Sequence, residues 1–138
     1  MSVRIIKYTD YYKGYIGLLQ QLTKAEKMTY KKFKQLLDNT IAIIYVIEDI
    51  ENKKIIENRK LLKEQKIIHN GGKVGHIEDI VVDNEYRGKG LGKKLLQHII
   101  NIAEKDCYKV ILNCKNSVNP FYEKFKFKEH SINMAIYF

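Results

Sequence analysis

Apolar positions along this 138-residue chain change period several times, and each change predicts an element. Val3-Arg4-Ile5-Ile6 reads as a first strand, and Ile16, Leu18, Leu19 and Leu22 as the apolar face of a first helix. Thr29 is placed to cap a second helix whose core face is Phe33, Leu36 and Leu37. Ile41-Ala42-Ile43-Ile44-Tyr45-Val46-Ile47 predicts a strand, and Glu48-Asp49-Ile50-Glu51-Asn52-Lys53 a polar hairpin connection. Residues 55–65 are ambiguous, because their good helix formers favour a helix on propensity alone. His76-Ile77-Glu78-Asp79-Ile80-Val81-Val82 is β-branched and too short for a helix, so a strand ends near the turn formers Asp83-Asn84. Leu91, Leu95, Leu96, Ile99, Ile100 and Ala103 then carry the stripe of a helix packed on a sheet. Val110-Ile111-Leu112 follows as a strand, and Asn119-Pro120 reads as an N-cap and first-turn proline opening a short helix over 121–125. With a last strand at the end, the order is that of an α/β fold.

Between the strand at 76–82 and the helix at 91–103 lies Arg87-Gly88-Lys89-Gly90-Leu91-Gly92. Glycines at the amino end of a helix expose unpaired backbone N–H groups and the positive end of the helix dipole, a natural phosphate cradle. The plainer reading is a tight strand-to-helix turn. The spacing is neither that of a P-loop nor the GxGxxG of a dinucleotide fold, so both nucleotide readings lose ground.

Composition narrows the classes. At 45% hydrophobic residues, a chain of this length buries a core as one domain, 1–138, with no linker and no repeat. No signal peptide and no bilayer-length apolar run are present, which leads to the expectation of a soluble, cytoplasmic protein. Cys107 and Cys114 have no partner at zinc-ligand spacing, so buried free thiols and no metal are expected. The net charge of +9 comes from lysines scattered along the whole chain, not from a stripe, so no nucleic-acid partner is read from it. A modest positive field suits small anionic ligands.

Arg87, Gly90 and Gly92 fit the pattern Arg/Gln-x-x-Gly-x-Gly/Ala of the GNAT superfamily of acetyl-CoA-dependent N-acetyltransferases. The blocks 75–82, 87–93, 107–112 and 121–125, in that order and spacing, resemble those of the eukaryotic glucosamine-6-phosphate N-acetyltransferase family. Gln21-Leu22-Thr23, Val46-Ile47-Glu48-Asp49 and Lys66-Ile67-Ile68-His69 extend the similarity over nearly the whole chain. The resemblance implies a GNAT fold, a mixed and mostly antiparallel sheet flanked by helices. It is also the reason to read residues 55–65 as a strand.

Acetyl-CoA is then the cosubstrate and glucosamine 6-phosphate the acceptor, the product serving UDP-N-acetylglucosamine synthesis in a homodimer. By resemblance, Ile80, Val81 and Val82 bind the cosubstrate, with a backbone N–H near Ile80 or Val81 as the oxyanion contact, Arg87, Gly88, Lys89, Gly90, Leu91 and Gly92 hold the pyrophosphate, and Tyr122 the departing thiolate. Glu78 and Asp79 contact the amine or a hydroxyl, and Thr23, Lys66, His69 and Asn113 belong to the sugar-phosphate side. Each has a bland reading: aromatics on short helices pack, strand carboxylates face solvent, and His69 is a loop histidine. Adjacent carboxylates on a strand point to opposite faces unless a bulge intervenes.

Two departures from relatives stand out. Asn113 replaces an acidic residue, which leaves only a backbone carbonyl role there, and the carboxyl end lacks a basic residue. Lys66, His69, Arg59 and Lys109 are candidates to hold the phosphate instead. Phe125-Lys126-Phe127 also replaces a glycine-aromatic turn. An acetyltransferase acting on a protein amino terminus, lysine or polyamine is the alternative enzyme reading, and a CoA-binding or nucleic-acid-binding module without catalysis the alternative class.

Overall fold

The β-branched runs resolve into five strands, β1 (Ser2–Ile5), β2 (Ile43–Asp49), β3 (Lys54–Gln65), β4 (Lys73–Val82) and β5 (Cys107–Leu112). The computed structural model describes residues 1–138. The strands form one sheet in the order β1-β2-β3-β4-β5, antiparallel from β1 to β4 and parallel between β4 and β5. A parallel pair requires a crossover, and α4 (Leu91–Ala103) supplies it.

Leu91, Leu95, Leu96, Ile99 and Ala103 bury the α4 stripe against Tyr45, Ile47, Leu61 and Ile77. On the other face, α1 (Tyr15–Leu22) and α2 (Tyr30–Asn39) bury Tyr15, Leu18 and Phe33 against Ile6, Val46, Ile55 and Val81. Burying a side chain of this size contributes about 1.5–3 kcal/mol, so the two layers clamp the sheet. Thr29 caps α2 as expected, its hydroxyl accepting from the Lys32 N–H at 3.1 Å.

β3 is the strand that propensity misreads. It pairs with β2 on one side and β4 on the other, and Ile55, Ile56 and Leu61 are wholly buried, so tertiary pairing overrides helix preference. Leu22 and Leu36 are exposed, which narrows the predicted faces of α1 and α2, and β2 starts at Ile43 because Ile41 faces solvent.

The short helix is α5 (Asn119–Glu123); Val118 takes the cap position and Asn119 is its first residue. No strand follows. Ile132, Met134, Ile136 and Phe138 alternate as a strand would, yet all are exposed, because no strand of the chain pairs with them. The thiols are less buried than expected: Cys107 is half-buried and Cys114 exposed. No helix is long and apolar enough to cross a membrane.

Candidate active site

β4 and β5 separate where the cleft begins. Their pairing stops at Ile77 with Leu112, while β4 runs on to Val82. The backbone of residues 78–82 therefore has no strand partner on that edge, although Val81 and Val82 still pair with β3 on the other. A β-bulge marks the divergence. Asn58 pairs with Val81 but Lys60 with Glu78, so Asp79 and Ile80 stand opposite the single residue Arg59. Asp79 takes a left-handed backbone, φ 52°, and its carbonyl accepts from the Asn58 side-chain amide at 2.8 Å. This local strain is held by a hydrogen bond from a buried side chain.

The bulge resolves the problem of adjacent carboxylates, since Glu78 and Asp79 line the same cleft. That cleft, of about 340 Å³, is also walled by Leu22, Ile80, Asn113 and Tyr122. The Asp79 carboxylate is paired with Lys60 at 3.0 Å, a cation that the sequence pattern did not single out. Leu22, on the apolar face that the pattern predicts for α1, is a cleft wall.

Beyond the bulge, the chain turns through Asp83-Asn84 and enters the glycine loop. Gly88 and Gly90 hold φ 79° and 76°, and a side chain there would be strained. The first intrahelical bond of α4 runs from the Lys94 N–H to the Gly90 carbonyl at 3.1 Å, so the amides of Leu91, Gly92 and Lys93 precede it and stay free to donate. Arg87 folds back to donate to the Val82 carbonyl at 3.2 Å, and Lys89 lies over the Tyr86 ring. Tyr86 in turn donates to the Asp49 carboxylate at 2.7 Å. Together with Asn52, this hydroxyl holds Asp49 down at about 2. At the far side of the loop, Gln21 bonds Asp83 and the Asn84 amide, tying the end of α1 to it.

Tyr122 sits in the first turn of α5, only 8% exposed, edge-on to Phe121 and Phe127. Burial pushes its hydroxyl above the ordinary tyrosine range, and the Arg59 charge beside it opposes that shift.

The acceptor-side predictions scatter. Thr23 is exposed at the end of α1, next to the cleft wall at Leu22. Lys66 and His69 lie on the β3–β4 connection, where α3 (Ile68–Gly71) forms a single distorted turn; Lys66 pairs with Glu64 and His69 packs on Tyr108. Six residues of β4 separate that end from Asp79, roughly 20 Å along the strand, so one chain does not bring Lys66 and His69 to its own cleft. Arg59 is not a phosphate ligand either: it is buried and paired with Glu57. Lys109 is exposed, its ammonium 3.3 Å from His130. No group of three or more His, Cys, Asp or Glu side chains is arranged to hold a metal.

Residues 25–127 match the family model described as the acetyltransferase (GNAT) family. The chain belongs to that family. This acetyltransferase is 42% identical to glucosamine 6-phosphate N-acetyltransferase 1 of Dictyostelium discoideum, covering 99% of the chain and 90% of the relative. It is 38% identical to the Arabidopsis thaliana glucosamine 6-phosphate N-acetyltransferase over 99% of the chain and 96% of the relative. The crystal structure of glucosamine-6-phosphate N-acetyltransferase from Arabidopsis thaliana superposes with a TM-score of 0.94, covering 99% of this acetyltransferase and 97% of that chain. A Trypanosoma brucei acetyltransferase structure, 32% identical, gives 0.91 with 99% of both chains covered.

Proposed function

We propose that this acetyltransferase moves the acetyl group of acetyl-CoA to the 2-amino group of glucosamine 6-phosphate by direct attack in a ternary complex. The observation that carries the reading is the opening between β4 and β5, with the bulge at Asp79 on one wall and Tyr122 on the other, in a chain alike over its length to enzymes of that name. Acetyl-CoA fits what the chain offers: an unpaired β4 edge for amide hydrogen bonds, then free amides and cations at the α4 amino end for a pyrophosphate.

Ile80, Val81 and Val82 present the backbone along that edge, and an N–H near Ile80 or Val81 donates to the thioester oxygen as negative charge grows on it. Arg87, Gly88, Lys89, Gly90, Leu91 and Gly92 hold the pyrophosphate. Glu78 and Asp79 orient the amine and a hydroxyl, with Lys60 screening Asp79. The Asn113 carbonyl accepts a proton-bearing group of the acceptor, since its side chain is no base. An amino sugar is less basic than lysine, so near pH 7 a neutral amine is available and positioning supplies most of the acceleration. As the carbon–sulfur bond breaks, its electron pair stays on sulfur and the Tyr122 hydroxyl gives that sulfur its proton, while the attacking nitrogen, on forming the amide, releases a proton to water that restores the tyrosine. The raised position of this hydroxyl keeps it protonated through neutral pH.

Thr23 borders the sugar. Lys66 and His69 serve the cleft of a second copy, which makes the working form a homodimer. The whole chain, 1–138, acts as one GNAT domain in the cytoplasm, feeding UDP-N-acetylglucosamine synthesis.

The test is thiol release from acetyl-CoA with glucosamine 6-phosphate, glucosamine, spermidine or a lysine peptide as acceptor. Release with glucosamine 6-phosphate above all others is expected. Release with spermidine or the peptide alone would move the substrate, and release with none would remove the activity.

A further inference from the structure

Outside the groups given roles above, the chain buries one ion pair completely. Glu57 and Arg59, two residues apart on β3, are 0% and 1% exposed. The Arg59 Nε donates to a Glu57 oxygen at 3.1 Å, and one terminal nitrogen, Nη2, donates to the Gly92 carbonyl in the first turn of α4 at 3.2 Å. The other, Nη1, has no partner, and neither has the second Glu57 oxygen. A buried pair with two unsatisfied polar atoms is a poor way to stabilise a core, because apolar residues of similar volume do as well or better.

Its place under α4 gives the pair a use. The carbonyl of residue 92 and the amide of residue 93 are two ends of one planar peptide unit, so a donor fixed on the Gly92 oxygen also fixes the direction of the Lys93 N–H. That N–H is one of the three amides that precede the first intrahelical bond and stay free at the amino end of α4. A charged donor on the carbonyl also polarises the peptide and makes its N–H a stronger donor in turn. Gly92 leaves the room for this contact. Unlike Gly88 and Gly90 it has no left-handed backbone, but a Cβ there would lie 3.4 Å from the Arg59 Nη2 and 3.8 Å from Phe121 and Val82. The last glycine of the loop is where helix backbone and guanidinium meet.

We propose that Arg59, held by Glu57, is a positioning residue for the diphosphate of CoA: from beneath the first turn of α4 it aims the Lys93 amide and places a buried positive charge behind the anion loop. Arg59 is enclosed by protein and does not itself line the cleft. The inference rests on the acetyl-CoA reading. It specifies an effect on cosubstrate binding rather than on turnover, because the diphosphate carries the same charge before and during acyl transfer.

The test compares the unaltered chain with one carrying Glu57→Leu together with Arg59→Met, which removes both charges at similar volume and is expected to keep the melting temperature. Calorimetric titration with CoA is expected to give a Kd about tenfold higher in the double variant. With whichever amine the unaltered chain acetylates, kcat at saturating acetyl-CoA should stay within about twofold, and so should kcat/KM for acetyl-pantetheine, which has the thioester but no diphosphate. An equal Kd for CoA in the two proteins would overturn the proposal. Equal losses on acetyl-CoA and acetyl-pantetheine would overturn it too, by assigning the pair a purely structural role. An unaltered chain that binds no CoA would remove the acetyl-CoA reading itself, and the proposal with it. Should the double substitution fail to fold, Arg59→Lys keeps the charge but gives up the fork that reaches both partners, and a Kd for CoA raised about threefold with acetyl-pantetheine unaffected is expected. An unchanged Kd in that variant would sink the proposal.

Discussion

The two sides of the cleft are assembled by different rules. Apart from Tyr122, the groups proposed to face the CoA come from one continuous stretch, residues 78–94, in which strand, bulge, glycine loop and helix follow one another. The groups proposed for the acceptor are Thr23, Lys66, His69, Glu78, Asp79 and Asn113, with Lys66 and His69 at the wrong end of β4 for their own cleft. The cosubstrate side is therefore a local property of the chain, whereas the acceptor side depends on tertiary and quaternary placement. A ligand common to many enzymes is met by contiguous backbone; the ligand that distinguishes them is met by side chains gathered from afar.

The largest expected effect attacks the contiguous side. Gly90→Val places a β-branched residue at φ 76° on the α4 cap, and kcat/KM for acetyl-CoA should drop on the order of 100-fold. Steady-state kinetics at varied acetyl-CoA decides it, and a loss under threefold would mean that the loop geometry is dispensable.

Next comes the dispersed side. Lys66→Ala with His69→Ala should raise KM for glucosamine 6-phosphate about tenfold while leaving KM for acetyl-CoA unchanged. Mixed with chains carrying Tyr122→Phe, then denatured and refolded together, they should recover about a quarter of the wild-type rate, because half of the dimers are mixed and each holds one intact site. Absence of recovery would show that the two residues serve only their own chain.

A smaller effect concerns the tether of the loop. Asp49 is held at about 2, below its ordinary value near 4, so the stability it contributes is present above pH 4 and is lost as pH falls toward 2. Asp49→Asn should flatten that acid dependence in thermal melts between pH 4 and 2, and an unaltered slope would mean that the Tyr86 and Asn52 bonds carry no linkage. The smallest effect lies far from both ligands. Lys126 holds φ 71°, and Lys126→Gly should stabilise the chain by about 0.5 kcal/mol in urea unfolding without changing kinetics.

This contrast also explains what the amino-acid pattern reveals. The strand at 76–82, the glycine loop and the α4 stripe are legible because period and local chemistry coincide there. β3 is not, since its Lys, Glu and Leu residues favour a helix and only its place between two strands makes it extended. Lys60 pairs with the cleft residue Asp79 through the bulge register, which no local signal encodes. Arg59, read as a phosphate candidate from its charge, is buried for a tertiary reason: Glu57 and the Gly92 carbonyl meet it inside the protein. The missing last strand has the same origin, because alternation alone in Ile132, Met134 and Ile136 does not supply a neighbour.

The buried Glu57–Arg59 pair also constrains the paths by which this sequence evolves. Loss of either residue alone strands the other charge in the core, at a cost of about 3–5 kcal/mol, a large part of a typical domain's stability margin. Single substitutions that remove one of the two charges are thus closed routes, while a joint replacement by apolar residues keeps the stability. Among descendants of this chain the two positions are expected to change together or not at all, whereas Ile55 and Leu61 beside them are free to exchange one at a time with other apolar residues of similar volume.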